Sequence, residues 1–208
     1  MTRIAAQSQV AVVTGGGTGI GRATALRLAS SGYHVAICGR RPEPIEAVRE
    51  QIAIAGGVCL AEPCDVRDPD QVSHFLDRVL EEGGRIDALV NNAGGQFTAN
   101  AEDISLGGFR AVHRLAVEAA WSVTREVANR AFIPQLSGAV VFIGFSPRRG
   151  MPQASHAASA RAAVENLATG LALEWSRYGI RSNCVSAGTV ATEGLEQYGD
   201  VVNEWVET

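Results

Sequence analysis

Aromatic side chains are scarce in this chain. They fill 6% of its 208 positions, and they do not interleave with basic residues as a surface that stacks single-stranded bases requires. Positive charge is also in deficit: 22 Asp and Glu outweigh 18 basic residues, for a net charge of −4. Neither nucleic acid nor a membrane surface is therefore an expected partner. No apolar run is long enough to span a bilayer. Residues 1–9 carry a single arginine and no extended apolar stretch, which is not the layout of a secretory leader, so a cytoplasmic location is expected. There is no CxxC pair, and Cys59 and Cys64 stand too far apart for a zinc knuckle. Cys38, Cys59, Cys64 and Cys184 each fall in or at the end of a strand-like run. Buried, reduced thiols are expected there, not a disulfide or a metal site. Repeats, low-complexity tracts and linkers are missing as well.

What is present is an apolar, regularly patterned chain. Hydrophobic residues make up 46% and charged ones 19%, which excludes disorder, and the length suits one α/β domain with a sizeable core. Strand-like and helix-like runs alternate. Strands are expected at residues 10–14, 34–38, 58–64, 88–91, 139–143 and 181–185. Helices are expected at 20–31, 42–55, 69–82, 108–130 (ended before Pro134) and 155–178. Asp68 and Pro69 make an N-cap and a first helical position. Such alternation builds a parallel sheet with helices on both faces, a doubly wound α/β fold of about six strands. A sheet of this kind binds ligands beyond the carboxyl ends of its strands.

One turn in this pattern carries chemistry. Thr14-Gly15-Gly16-Gly17-Thr18-Gly19-Ile20-Gly21 follows the first strand directly and opens the first helix. Gly15, Gly19 and Gly21 let the chain turn sharply, let a pyrophosphate approach the backbone, and let helix pack on strand. The free N–H groups of the helix start then face the phosphates. Gly21 is followed by Arg22 and Ala23, which excludes a P-loop. A dinucleotide is the expected cofactor. At the end of the second strand an acidic residue selects the ribose hydroxyls of NAD, but this chain has Gly39-Arg40-Arg41. Guanidinium groups suit a 2′-phosphate, so NADP(H) is preferred and NAD(H) stays possible.

Further motifs follow in order: Asp65-Val66, then Asn91-Asn92-Ala93-Gly94, then Gly179-Ile180-Arg181-Ser182-Asn183-Cys184-Val185. Together with the glycine turn they resemble the short-chain dehydrogenase/reductase family over nearly the whole chain. The resemblance implies a Rossmann-type fold. It places Asp65 and Val66 by the adenine, and Asn91, Ala93 and Gly94 at the central strand and adenosine ribose. It puts Gly188 and Val190 over the nicotinamide, with Thr192 at the carboxamide. Ala187 stands where the family has proline. The family continues beyond this point with another helix and a seventh strand. Residues 193–208 correspond to its substrate loop, and an end here would leave the sixth strand as a bare edge. The two long helices match those through which family members pair, so a homo-oligomer, dimer or tetramer, is expected.

The family's usual acid–base set is missing. The resemblance puts Ala157 at the position of its tyrosine, Arg161 at its lysine and Ala116 at its asparagine. Its serine position falls at Gly144 or Phe145, with Ser146 just beyond. The stretch 155–167, and Asn91-Asn92-Ala93-Gly94-Gly95-Gln96-Phe97, resemble the branch of peroxisomal trans-2-enoyl-CoA reductases and 2,4-dienoyl-CoA reductases. That branch reduces a carbon–carbon double bond conjugated to a thioester. The chemistry needs an enolate stabilised, not a phenol beside a lysine.

Arg161, His156 and Ser146 are the candidate catalytic residues, with Arg161 also holding the nicotinamide ribose. Gln96, Phe97 and Phe145 are candidates for the substrate pocket, and no metal site is expected. The plainer roles are a helix cap for His156 or Ser155 and an ion pair of Arg161 with Glu165. The substrate is expected to be an acyl-CoA or, with His156 in the tyrosine's role, a ketone. A noncatalytic NADP-binding scaffold or sensor is the reading from another class. The segment Gly144-Phe145-Ser146-Pro147-Arg148 is no G-x-S-x-G elbow, which excludes a serine hydrolase.

Overall fold

The structure is a computed structural model and describes residues 8–145, 150–195 and 198. Strands β1 (Val10–Thr14), β2 (His34–Gly39), β3 (Cys59–Pro63), β4 (Ala88–Asn91), β5 (Gly138–Phe145) and β6 (Ile180–Ala187) form one sheet in the order β3-β2-β1-β4-β5-β6. Every pairing is parallel. Helices α1 (Gly19–Ser30), α2 (Pro42–Ile54) and α3 (Pro69–Gly83) connect the first strands. A long helix before β5 comprises α4 (Leu106–His113), α5 (Ala119–Val127) and α6 (Ile133–Gln135), and α7 (Ser155–Trp175) precedes β6.

Period-two alternation sends the two sides of β1 into different cores. Val10 and Val12 join Phe75, Phe132, Phe142 and Leu171 on the face covered by α3, α5 and α7. Val13 joins Ile37, Ile45, Val48 and Ile52 on the face covered by α2, with Ala25 of α1. The α3 start is as its sequence predicts: Asp68 accepts hydrogen bonds from the N–H groups of Asp70 and Gln71, and Pro69 follows it. Gly84 closes the helix in the left-handed region, at φ 70°.

The long helix differs from the expected 108–130. Its α-helical segments are joined by π-helical ones, Arg114–Glu118 and Ala128–Phe132, and it runs on to Gln135. Pro134 lies just after the second π segment, in the first turn of α6. There the bonding register changes, and a missing N–H is tolerated. The chain leaves the helix at Leu136, which takes φ 51°. Cys38 and Cys64 are buried, while Cys59 and Cys184 are half-buried. No helix among the described residues is long and apolar enough to cross a membrane.

Candidate cofactor and substrate cleft

The sheet order reverses between β1 and β4, and at the carboxyl ends of these strands lies a cleft of about 720 Å³. That size suits a bound small molecule. Thr14, at the end of β1, holds the crevice in shape. Its hydroxyl accepts hydrogen bonds from the N–H groups of Asn92 and Ala93, both at 3.0 Å. Asn92 returns the link by donating from Nδ2 to the carbonyls of Thr14 and Gly15, again at 3.0 Å. Asn92 is thus the brace between the glycine turn and β4, although the sequence alone drew attention to its neighbours. Asn91 points away from the cleft and donates to the hydroxyl of Thr124 at 2.7 Å.

Gly15, Gly17, Thr18, Gly19 and Ile20 line the cleft. Gly21 does not, and its role is packing: a Cβ there would stand 2.2 Å from the Gly15 carbonyl oxygen. Gly15 and Gly19 take φ of 64° and 51°, which side chains with a Cβ disfavour. The N–H of Gly19 at the start of α1 already attracts an anion. Glu193, in the loop after β6, accepts from it at 3.2 Å and from Arg22 Nη1 at 3.0 Å. Contact with backbone N–H groups, its own and that of Gly19, lowers the Glu193 pKa, so this carboxylate is charged at neutral pH. The turn therefore passes a direct check on its fitness for pyrophosphate: it binds a carboxylate.

Arg40, Arg41, Asp65 and Val66 line one end of the cleft. The Arg67 guanidinium beside Asp65 holds its carboxyl down at about 2, with Arg40 contributing at longer range. Among the described residues neither Arg40 nor Arg41 forms an ion pair. Both guanidiniums are exposed at the rim and open to a phosphate.

Ala93, Gly94, Gln96, Phe97, Phe145, Arg161, Gly188, Val190 and Thr192 line the rest. Arg161 reaches across from α7, donating from Nη1 to the Ile143 carbonyl at 3.0 Å. Its Nη2 lies against Gly94, where a Cβ would come within 2.5 Å. Burial lowers its pKa, with Cys184 and Tyr198 acting the other way, and an arginine so placed stays a cation. It makes no ion pair with Glu165, which instead accepts a short hydrogen bond from the Ser186 hydroxyl. His156 is not on the cleft surface. It is fully buried, neither ring nitrogen has a hydrogen-bond partner among the described residues, and its ring packs 4.2 Å from that of Phe97. Burial lowers its pKa, and the Phe97 backbone acts the other way. The N-cap of α7 is Ala154, with no side-chain cap, so neither Ser155 nor His156 plays that part. Ser146 lies outside the described residues. Ala157 and Ala116 are buried in a small apolar cluster with Val112, Met151, Ala154 and Ala160.

The family described as short chain dehydrogenase matches residues 9–202. The chain belongs to the short-chain dehydrogenase family. Among its relatives in this family is a Caenorhabditis elegans protein named "Probable 2,4-dienoyl-CoA reductase 3", 37% identical over 98% of this chain and 69% of its own. The rat peroxisomal 2,4-dienoyl-CoA reductase is 36% identical over 93% of this chain and 67% of its own. A solved actinorhodin polyketide ketoreductase with NADPH superposes with a TM-score of 0.90 at 28% identity, covering 95% of this chain and 78% of that one. The chain spans from 60% to 75% of the length of the curated relatives it matches.

Two residues of this short-chain dehydrogenase were not singled out from sequence: Glu193, against the glycine turn, and Tyr198, in the cleft. The signal for them was slight: both lie in the stretch corresponding to the family's substrate loop. Tyr198 lines the cleft, donates its O–H to the Gln96 carbonyl at 3.4 Å, and packs on the Ala116–Ala157 cluster.

Proposed function

We propose that the chain is an NADP-dependent reductase of a carbon–carbon double bond conjugated to a thioester. The observation that carries this reading is Arg161. It sets a half-buried cation beside Gly94 at the end of the cleft away from Arg40, while alanines take the places of the family's tyrosine and asparagine. Such a cation suits charge that develops on an oxygen. Gly15, Gly17, Thr18, Gly19, Ile20, Val190 and Thr192 would hold the dinucleotide, with Arg40 and Arg41 on its 2′-phosphate. Bound there, the cofactor would supply a hydride to the β-carbon of the substrate. Arg161 would hold the nicotinamide ribose and bias the site toward negative charge, while Phe97 and Phe145 wall the pocket and exclude water. The names of the two dienoyl-CoA reductases support the thioester part of the reading, and the NADPH-bound ketoreductase supports the cofactor part. A cytoplasmic setting and a homo-oligomer belong to the same proposal. Burial of His156 behind Phe97 disfavours a ketone reductase that relies on its imidazole.

The test is consumption of NADPH with a series of trans-2-enoyl-CoA and 2,4-dienoyl-CoA thioesters, beside a panel of ketones. Turnover on the thioesters is expected. NADPH binding without turnover on any member would overturn the reading and leave a nucleotide-binding scaffold or sensor.

A further inference from the structure

Reduction of a conjugated double bond needs a proton as well as a hydride, and the proposed function leaves its source open. Among the described residues lining the cleft from Gly94 to Tyr198, there is no carboxyl, imidazole or thiol, and the chain contains no lysine. Arg161 is a cation that does not release its proton at any relevant pH. Thr189 and Thr192 offer only aliphatic hydroxyls. Of the three tyrosines, Tyr33 and Tyr178 lie away from the cleft, and Tyr198 lines it.

Resting on the enoyl-reductase reading, we propose that Tyr198, brought in by the loop after β6, is the catalytic proton donor of this site. It takes the part that Ala157 cannot. Its ring packs against the apolar cluster that includes Ala116 and Ala157. Its O–H is oriented by the Gln96 carbonyl at 3.4 Å, a long bond that a substrate atom can replace. Arg161 lines the same cleft, and the two groups interact electrostatically in the sense that favours a phenolate at Tyr198. Hydride addition at the β-carbon leaves an electron pair shared between the α-carbon and the thioester oxygen. That pair forms the new α-C–H bond as the Tyr198 O–H bond breaks, and the phenolate recovers its proton from water. The substrate gains two electrons and two hydrogens, and the dihydronicotinamide is oxidised.

The test compares Tyr198→Phe and Tyr198→Ala with the unaltered protein on NADPH and an enoyl-CoA that the latter reduces. Loss of the hydroxyl is expected to lower kcat about a hundredfold, by similar factors in both variants. If the ring mattered only for packing, Phe would be active and Ala impaired. The unaltered protein loses activity as pH rises and the phenol ionises, and this alkaline limb is absent from Tyr198→Phe. A readout without turnover is the tyrosine difference absorption on binding a saturated acyl-CoA, present in the unaltered protein and missing from Tyr198→Phe. Full activity of Tyr198→Phe with an unchanged pH profile, or no difference absorption, overturns the assignment of Tyr198 and leaves the enoyl-reductase reading standing. No enoyl-CoA turnover by the unaltered protein overturns both.

Discussion

Arg40 shows how one side chain sets a preference between two nearly identical cofactors. It stands at the rim beyond β2, exposed and outside any ion pair among the described residues, where an acidic residue would instead accept from ribose hydroxyls. Arg40→Asp is expected to lower the ratio of NADPH to NADH affinity roughly tenfold or more, the size of one charge-assisted hydrogen bond, as read by fluorescence titration of both cofactors. Glu193 acts with the opposite sign. Its carboxylate sits on the Gly19 N–H that a pyrophosphate would use. Glu193→Gln removes the competing charge and is expected to tighten NADPH binding about two- to fivefold; weaker binding in the same titration would show that the contact supports the site instead. The glycines and Arg40 were legible in the sequence because their partners are local: a turn, a helix start, a strand end. Glu193 is 174 residues from Gly19, and no periodicity or short motif encodes a contact across that separation.

At the scale of elements, local chemistry decided most boundaries. β1 and β4 fall where β-branched and apolar runs place them, and α3 begins at its Asp68-Pro69 signal. Asp68→Ala removes an acceptor for two N–H groups at the start of α3. It is expected to cost about 1 kcal/mol, measured as a lower urea midpoint with an unchanged slope. The long helix was less legible. Pro134 reads as a stop because the sequence cannot reveal a π segment at Ala128–Phe132 that shifts the bonding register just before it. The α4–α7 contact was hidden too. There the His113 ring stacks on Phe109 and meets the Ser159 hydroxyl at 3.0 Å, while the Ser159 hydroxyl donates to the His156 carbonyl. His156 reads as functional in a sequence where it neighbours the position of the missing tyrosine. The fold turns it inward instead, against Phe97.

For the molecule as a whole, the outward faces of the long helices matter most. Leu106 and Leu173 are 62% and 74% exposed, and Phe109 and Trp121 are also open to solvent. Large apolar side chains on both long helices are what a pairing surface requires. The protein is expected to run as a dimer or tetramer in size-exclusion chromatography with light scattering, and Trp121→Glu to shift it to a smaller species. A monomeric unaltered protein would contradict the expectation. Alternating apolar strands and amphipathic helices determined a doubly wound parallel sheet by themselves, because period two and period 3.6 cannot bury the same faces. The glycine turn likewise determined a dinucleotide site, because few other uses require three residues without a Cβ at that strand end. What surrounds the reacting end was decided only by the tertiary structure. The reversal of strand order between β1 and β4 opens the cleft, and packing then brings Arg161 from α7, Gly94 from beyond β4 and Tyr198 from beyond β6 to one place. These groups are far apart along the chain, so no local pattern relates them, and their chemistry exists only once the sheet has assembled.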